Sequence, residues 1–169
     1  MILITAHRRE NHGKRLESII EAISTLAIKF SDCIFIIPLH PNPNVYNKVK
    51  QKLSGVENIL LMDSLPYPHL VYIMQKADLI LTDSDGIQEE APSFGTPLLV
   101  LRYETERKEG IEAGFAKLVG ADKEKIIKEA SEILENNIRI NAKNPYGDGK
   151  SSEKIAQIIK EFFNGKYAY

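Results

Sequence analysis

Short apolar runs alternate with helical stripes along this chain, and that alternation limits its fold more than any other feature. The runs fall at 1–5, 33–39, 59–62, 77–81, 98–101 and 115–119. Between the first two, Leu16, Ile19, Ile20, Ile23 and Leu26 recur at helical spacing and predict a helix over Lys14 to Lys29. Val45 to Leu53 predicts a weaker helix, and Leu70, Ile73, Met74 and Ala77 a short one. Ile126, Ile127, Ala130, Ile133 and Leu134 mark a longer helix that Asp122 can cap. A last helix opens at Ser151-Ser152-Glu153 and carries Ile155, Ile158, Ile159, Phe162 and Phe163 on a wide apolar face; residues 164–169 read as a fraying end. Apolar runs without polar alternation are strands covered on both sides. The pattern therefore predicts an α/β fold, a Rossmann-like parallel sheet with helices on both faces.

The chain has 169 residues, the length of one well-packed domain, so 1–169 reads as a single unit. A formal net charge of −1 argues against a general nucleic-acid binder, which needs a basic excess or a strongly basic face. No apolar run approaches the length that crosses a membrane. Cys33 is the single cysteine, which excludes a disulfide framework and points to a reducing compartment, the cytoplasm. Burial among Ile34, Phe35 and Ile36 would keep it a neutral thiol and a poor nucleophile. The opening MILITAH lacks the basic region and long apolar stretch of a signal peptide. A strand starting at Met1 with no lead-in is what a domain cut from inside something larger would show.

The chemistry concentrates in LILTDSDGIQEEAPSFGTP, Leu79 to Pro97, where a buried strand stops at a polar turn and restarts as a helix. Thr82-Asp83-Ser84 offers capping side chains, Gly86 offers a flexible turn, and Ile87, Glu89, Glu90 and Ala91 suit a first helical turn. Pro92, Gly95 and Pro97 end that helix early. A strand, a turn and a helix start make an anion site, with Ser84 and the amides around Gly86 on phosphate oxygens. A carboxylate further along, Glu89 or Glu90, would accept from ribose hydroxyls; the two differ by about 100° around the helix, so one faces the ligand. An ordinary capped helix is the competing reading. What tips the balance is company at strand ends: His7, Arg8 and Arg9 follow the first strand, His40 the second, and Arg102 and Arg107 the fifth. In an open parallel sheet those loops share one edge, where ligands bind.

Two familiar nucleotide motifs are absent. No G-x-G-x-x-G follows the first strand, which argues against a nicotinamide enzyme. Gly149-Lys150-Ser151 matches only the end of a P-loop: position 144 is asparagine where glycine is needed, and no strand precedes it. Neither a metal nor an organic cofactor is expected.

ILITAHRREN, LHPNPNV, LTDSDGIQEEAPSFGTP, the TER at 105–107 and NPYGDGKSSEKI together resemble the C-terminal half of non-hydrolysing UDP-N-acetylglucosamine 2-epimerases. The resemblance implies one half of a GT-B-type two-domain fold in which UDP is held mainly by the C-terminal domain. It implies interconversion of UDP-GlcNAc and UDP-ManNAc for surface polysaccharides, by anti elimination of UDP to a 2-acetamidoglucal and re-addition with C2 inverted. By position it makes His7 the active-site histidine with Arg8, Arg9 and Glu10 beside it. Ser84, Asp85 and Gly86 become the diphosphate turn, and Glu90 the ribose carboxylate. Leu65 to Pro68 falls at the uracil, with Tyr67 as the ring, and His40 falls near a second, regulatory nucleotide-sugar site.

Three departures follow from the same resemblance. The family pattern T-D-S-G-G has Asp85 at its first glycine here, which adds a side chain and a negative charge where a diphosphate approaches and which could itself cap the helix amides. Lys108 stands where proline usually follows T-E-R. The family's N-terminal domain, with the acidic residues for proton transfer at C2, has no counterpart in the sequence. The last helix, 151–163, is then expected to reach toward that domain as a separately encoded half, to fold back, or to recruit a second copy in a homodimer. Independent turnover is not expected. The alternatives are a non-catalytic UDP-sugar-binding module or degenerate fragment, and a GT-B glycosyltransferase half.

Overall fold

The structure is a computed structural model that describes residues 1–165; the rest of the predicted fraying end, 166–169, lies outside the described residues. Six strands form one sheet: β1 Ile2–Thr5, β2 Phe35–Pro38, β3 Ile59–Met62, β4 Leu79–Thr82, β5 Leu98–Val100 and β6 Ala116–Leu118. All neighbours are parallel, in the order β3-β2-β1-β4-β5-β6. This order reverses between β1 and β4, which pair from Ile2↔Leu79 to Thr5↔Thr82. The loops leaving those two strands therefore diverge and open a crevice at the carboxyl edge.

Side-chain alternation along the strands divides the core between two faces. Ile2, Ile4, Leu79, Leu81 and Leu99 point to the layer of α1 (Lys14–Lys29), α2 (Pro43–Leu53) and α6 (Lys123–Glu135). Leu3, Ile80, Leu98 and Val100 point to the layer that holds Met74 of α3 (Tyr67–Lys76), Ile87 of α4 (Asp85–Glu90) and Phe115. Every predicted strand and helix is present. Leu16, Ile19, Ile20, Ile23 and Leu26 are all buried, as their spacing requires. Asp122 caps α6 by accepting from the Lys125 N–H at 3.0 Å, and Asn42 caps α2 from Asn44 N–H.

Three local differences from the sequence expectation have physical causes. The charged stretch 102–110 winds into α5 (Lys108–Glu112), because Tyr146 accepts from the Gly110 N–H and fixes that turn from outside. Gly86 has ordinary helical geometry and does not serve as a flexible turn; a Cβ there would meet nothing closer than 3.9 Å. Gly95 is the glycine that matters: at φ +68° it ends the 3-10 turn Ala91–Phe94, and a Cβ would lie 2.6 Å from the Ile140 carbonyl. The last helix, α7 (Ser151–Phe163), has no buried residue, and Ile155, Ile158, Ile159, Phe162 and Phe163 are at least half exposed.

Candidate functional site

Construction starts at the switch between β1 and β4, where the Thr5 and Thr82 hydroxyls meet at 2.7 Å in the dry interior and Thr82 Oγ1 accepts from the Ser84 N–H. The next residue, Asp83, does not cap α4. Its side chain is fully buried and turns back across the crevice to accept from the N–H groups of His7 and Arg8 and from Asn11 Nδ2, each at 2.9 Å to the same oxygen. Asn11 donates with the same nitrogen group to the Leu101 carbonyl at 2.9 Å, so β1, β4 and β5 are tied through one buried carboxyl. Ser84 occupies the N-cap position of α4 without using its side chain for the cap. Its hydroxyl is left free of that duty.

Above this knot sits a charged layer. Arg8 and Arg102 grip opposite oxygens of Asp85, Arg8 Nη2 on Oδ2 and Arg102 Nη1 on Oδ1 at 2.7 Å. Each guanidinium is also held from behind, Arg8 Nε by the Asp83 carbonyl at 3.3 Å and Arg102 Nε by Glu10 Oε1 at 2.8 Å. Asp85 thus bridges two arginines and does not cap α4 with its side chain. Further along α4, Glu89 pairs with Arg107, and Glu90 Oε2 accepts from the Tyr67 hydroxyl at 2.9 Å. The two carboxylates face different partners, as their angular offset requires. The bond to Glu90 raises the Tyr67 phenol pKa, and the bond to Glu89 raises that of Arg107.

His7 leaves β1 with its ring half-buried and stacked on His40 from the β2 end, centroids 5.1 Å apart and planes within 8°. Burial lowers the His7 pKa; Asp83, 3.5 Å from Nδ1, opposes this, while His40 and Arg8 lower it further. Near neutral pH the ring is therefore an uncharged imidazole able to accept a proton.

An open groove of about 950 Å3 is lined by Glu89, Glu90, Ser93, Phe94, Asn144, Tyr146 and Lys154. His7, Arg8, Ser84 and Asp85 lie outside it, so the groove adjoins the charged layer and does not contain it. Part of its lining comes from a segment that the sequence marks only as turn-rich. Asn144 Nδ2 donates to the Glu89 carbonyl at 3.0 Å and to Ser93 Oγ at 2.7 Å, and the Tyr146 hydroxyl donates to the Arg107 carbonyl at 3.0 Å. Thr105 Oγ1 and Gln88 Oε1, both buried, join the β5 loop to α4 at 2.8 Å. Sequence reasoning missed Asn11, Asn144 and Tyr146, whose partners lie 39 to 90 residues away. Nothing in local spacing announces such bonds.

Cys33 sits just ahead of β2, half-buried, and burial raises its thiol pKa. Among the described residues no cluster of histidine, cysteine, aspartate and glutamate suits a metal ion, and no helix is long and apolar enough to cross a membrane.

The sheet order and the charged switch-point loops define an α/β domain of the kind that forms one half of GT-B-like epimerase structures. The family model for UDP-N-acetylglucosamine 2-epimerase matches residues 1–160, and the chain belongs to that family. It is 47% identical over 162 residues to a UDP-N-acetylglucosamine 2-epimerase of Campylobacter jejuni, covering 94% of this chain and 42% of that protein. Among solved structures, UDP-GlcNAc 2-epimerase from Neisseria meningitidis bound to UDP-GlcNAc superposes with a TM-score of 0.87 at 46% identity, over 95% of this chain and 44% of that one. An S. aureus structure with UDP gives a TM-score of 0.91 at 43% identity, over 96% of this chain and 46% of the other. The chain spans less than half the length of these relatives.

Proposed function

We propose that residues 1–169 form the UDP-binding domain of a UDP-GlcNAc 2-epimerase and supply the leaving-group half of the reaction. The observation that carries this reading is the gathering of His7, Arg8, Arg102, Ser84, Tyr67 and Glu90 along one sheet edge around the β4–α4 turn. Expelling UDP from a sugar builds charge on the diphosphate, and fixed arginine donors stabilise that charge best when they are held before the reaction. Arg8 and Arg102 are held in that way from behind. In this assignment Arg8, Ser84 and Gly86 face the diphosphate, Glu90 the ribose and Tyr67 the uracil. His7 stands at the reacting sugar as an uncharged imidazole. His40 belongs to a regulatory nucleotide-sugar contact on the far side of the His7 ring.

Proton transfer at C2 needs a positioned base, which we assign to the N-terminal domain of the whole enzyme. The exposed apolar face of α7 is the surface we assign to contact with that domain, or with a second copy of this chain. The relatives solved with UDP-GlcNAc and with UDP support the ligand. A cytoplasmic site of action is in keeping with the single half-buried cysteine.

Calorimetric titration with UDP tests the binding assignment, and conversion of UDP-GlcNAc to UDP-ManNAc is assayed with this chain alone and with the N-terminal domain added. Binding by the chain, with turnover only in the mixture, is expected. Turnover by the chain alone overturns the assignment of proton transfer to the other domain. The Asp85 bridge favours one second reading, a UDP-sugar-binding module without catalysis, for which UDP binds and the mixture stays inactive.

A further inference from the structure

The carboxylate of Asp85 holds both arginines of the charged layer, and it does so with both of its oxygens. Arg102 is a fixed partner: only 16% of its side chain is exposed, and Glu10 holds it from the other side. Asp85 is 23% exposed and Arg8 40%, so the bridge is buried on its Arg102 side and reached by solvent on its Arg8 side. Two neighbouring oxygens of one acid, each on a different guanidinium, reproduce the way a diphosphate would present its terminal oxygens to the same pair. The count of charge matters as well. Asp85 and Glu10 offset the positive charges of Arg8 and Arg102 with which they pair, which weakens the pull of the two arginines on a polyanion.

We propose that Asp85 is a built-in occupant of the anion site: its carboxylate makes the arginine contacts that a nucleoside diphosphate would make, and such a ligand binds only by displacing it. This inference rests on the UDP-binding assignment above and adds how occupancy of that site is set. A diphosphate has to exchange contacts, swinging the Asp85 carboxyl into solvent before Arg8 and Arg102 can turn to phosphate oxygens. Removing the carboxyl takes away one negative charge and frees two guanidinium faces, so affinity rises. The apo chain is a self-inhibited binder.

The test is calorimetric titration of the wild-type chain, Asp85→Asn, Asp85→Gly and the double variant Asp85→Gly/Arg102→Gln, with UDP and with inorganic pyrophosphate as probes. Asp85→Asn keeps the volume of the side chain, and thermal melting of each variant establishes that it is folded. Both single variants are expected to bind each probe at least tenfold more tightly than the wild type, and the double variant to lose that gain. Tighter pyrophosphate without UDP binding in any variant upholds the displaced carboxylate and refutes the nucleotide assignment. UDP binding to the wild type as tight as to both single variants overturns the proposal and leaves the nucleotide assignment standing. Failure of every variant to bind either probe overturns both.

Discussion

At the carboxyl edge of the sheet an inner layer is built on Asp83 and an outer layer on Asp85, two acids two residues apart under opposite constraints. Asp83 is sealed from solvent and meets the peptide N–H groups of His7 and Arg8, which have no other acceptor, and the amide of Asn11, which also holds the Leu101 carbonyl. Asp85 meets two side-chain guanidinium groups, one of which, Arg8, is 40% exposed, so water can stand in for the carboxyl on that side. The difference separates architecture from exchange. A buried acceptor with several donors is expensive to remove, because each orphaned donor costs about 1–3 kcal/mol. A bridge near the surface contributes about 0–1 kcal/mol to stability and is free to be traded for a ligand.

The largest effect expected from that contrast is in Asp83→Ala, which should lower unfolding stability by about 3 kcal/mol or more, since three donors lose their acceptor. Asp85→Ala should cost about 1 kcal/mol or less. Urea denaturation of the two variants, with unchanged slopes, measures both. Equal losses would remove the distinction between the layers.

The two layers were not equally legible in the sequence. Strands covered on both faces announce themselves as unbroken apolar runs, and parallel order follows from their alternation with helices, so the sheet and the shared edge of His7, Arg8 and Ser84 could be read in advance. Asp83 could not. Its position before a helix reads as a cap, and only the parallel pairing of β1 with β4 brings the His7 and Arg8 amides within its reach. The same holds for Asp85, whose two arginines come from 77 residues before it and 17 after it. Helical periodicity has a matching blind spot. It gives α6 and α7 equally clear apolar faces, yet Ile126 and Ala130 of α6 are buried against α1 while α7 buries nothing. A stripe states that a face needs cover and says nothing of what covers it.

Tyr146→Phe should fall between the two acids. Its hydroxyl accepts from the Gly110 N–H at 2.8 Å and donates to the Arg107 carbonyl at 3.0 Å, so it stitches the turn-rich strap to α5 beside the groove. Loss of two bonds to backbone should cost about 1–2 kcal/mol. The strap then behaves as part of the inner layer. A cost indistinguishable from zero would move it to the outer one.

His7 joins the layers, with its N–H on Asp83 and its ring on His40, and it gives the contrast a pH dependence. Burial sets its folded pKa below the unfolded value of about 6.5, so between those two values the unfolded chain carries a proton that the folded chain does not. The contribution of the neutral ring is complete above pH 6.5 and is lost as pH falls toward the lowered value. Proton NMR titration of the ring should give a midpoint below 6.5, and stability followed across that window should fall with pH less steeply in His7→Gln than in the wild type. A midpoint above 6.5 would mean that the Asp83 carboxyl outweighs burial.

The smallest effect is expected at the far end of the contrast, on α7. Ile158 is 56% exposed and touches no buried cluster, so Ile158→Ser should change stability by no more than about 0.5 kcal/mol in either direction. Ile126→Ala on α6, by comparison, opens a cavity in the α1 layer and should cost about 2–5 kcal/mol. The pair of variants asks whether α7 stands apart from the domain in solution as it does in the structure. A loss above about 1 kcal/mol at Ile158 would mean that the helix has found cover, either by folding back or in a second copy. Repeating the melt across a range of protein concentrations separates the two, because a midpoint that rises with concentration belongs to association and one that stays fixed belongs to the single chain.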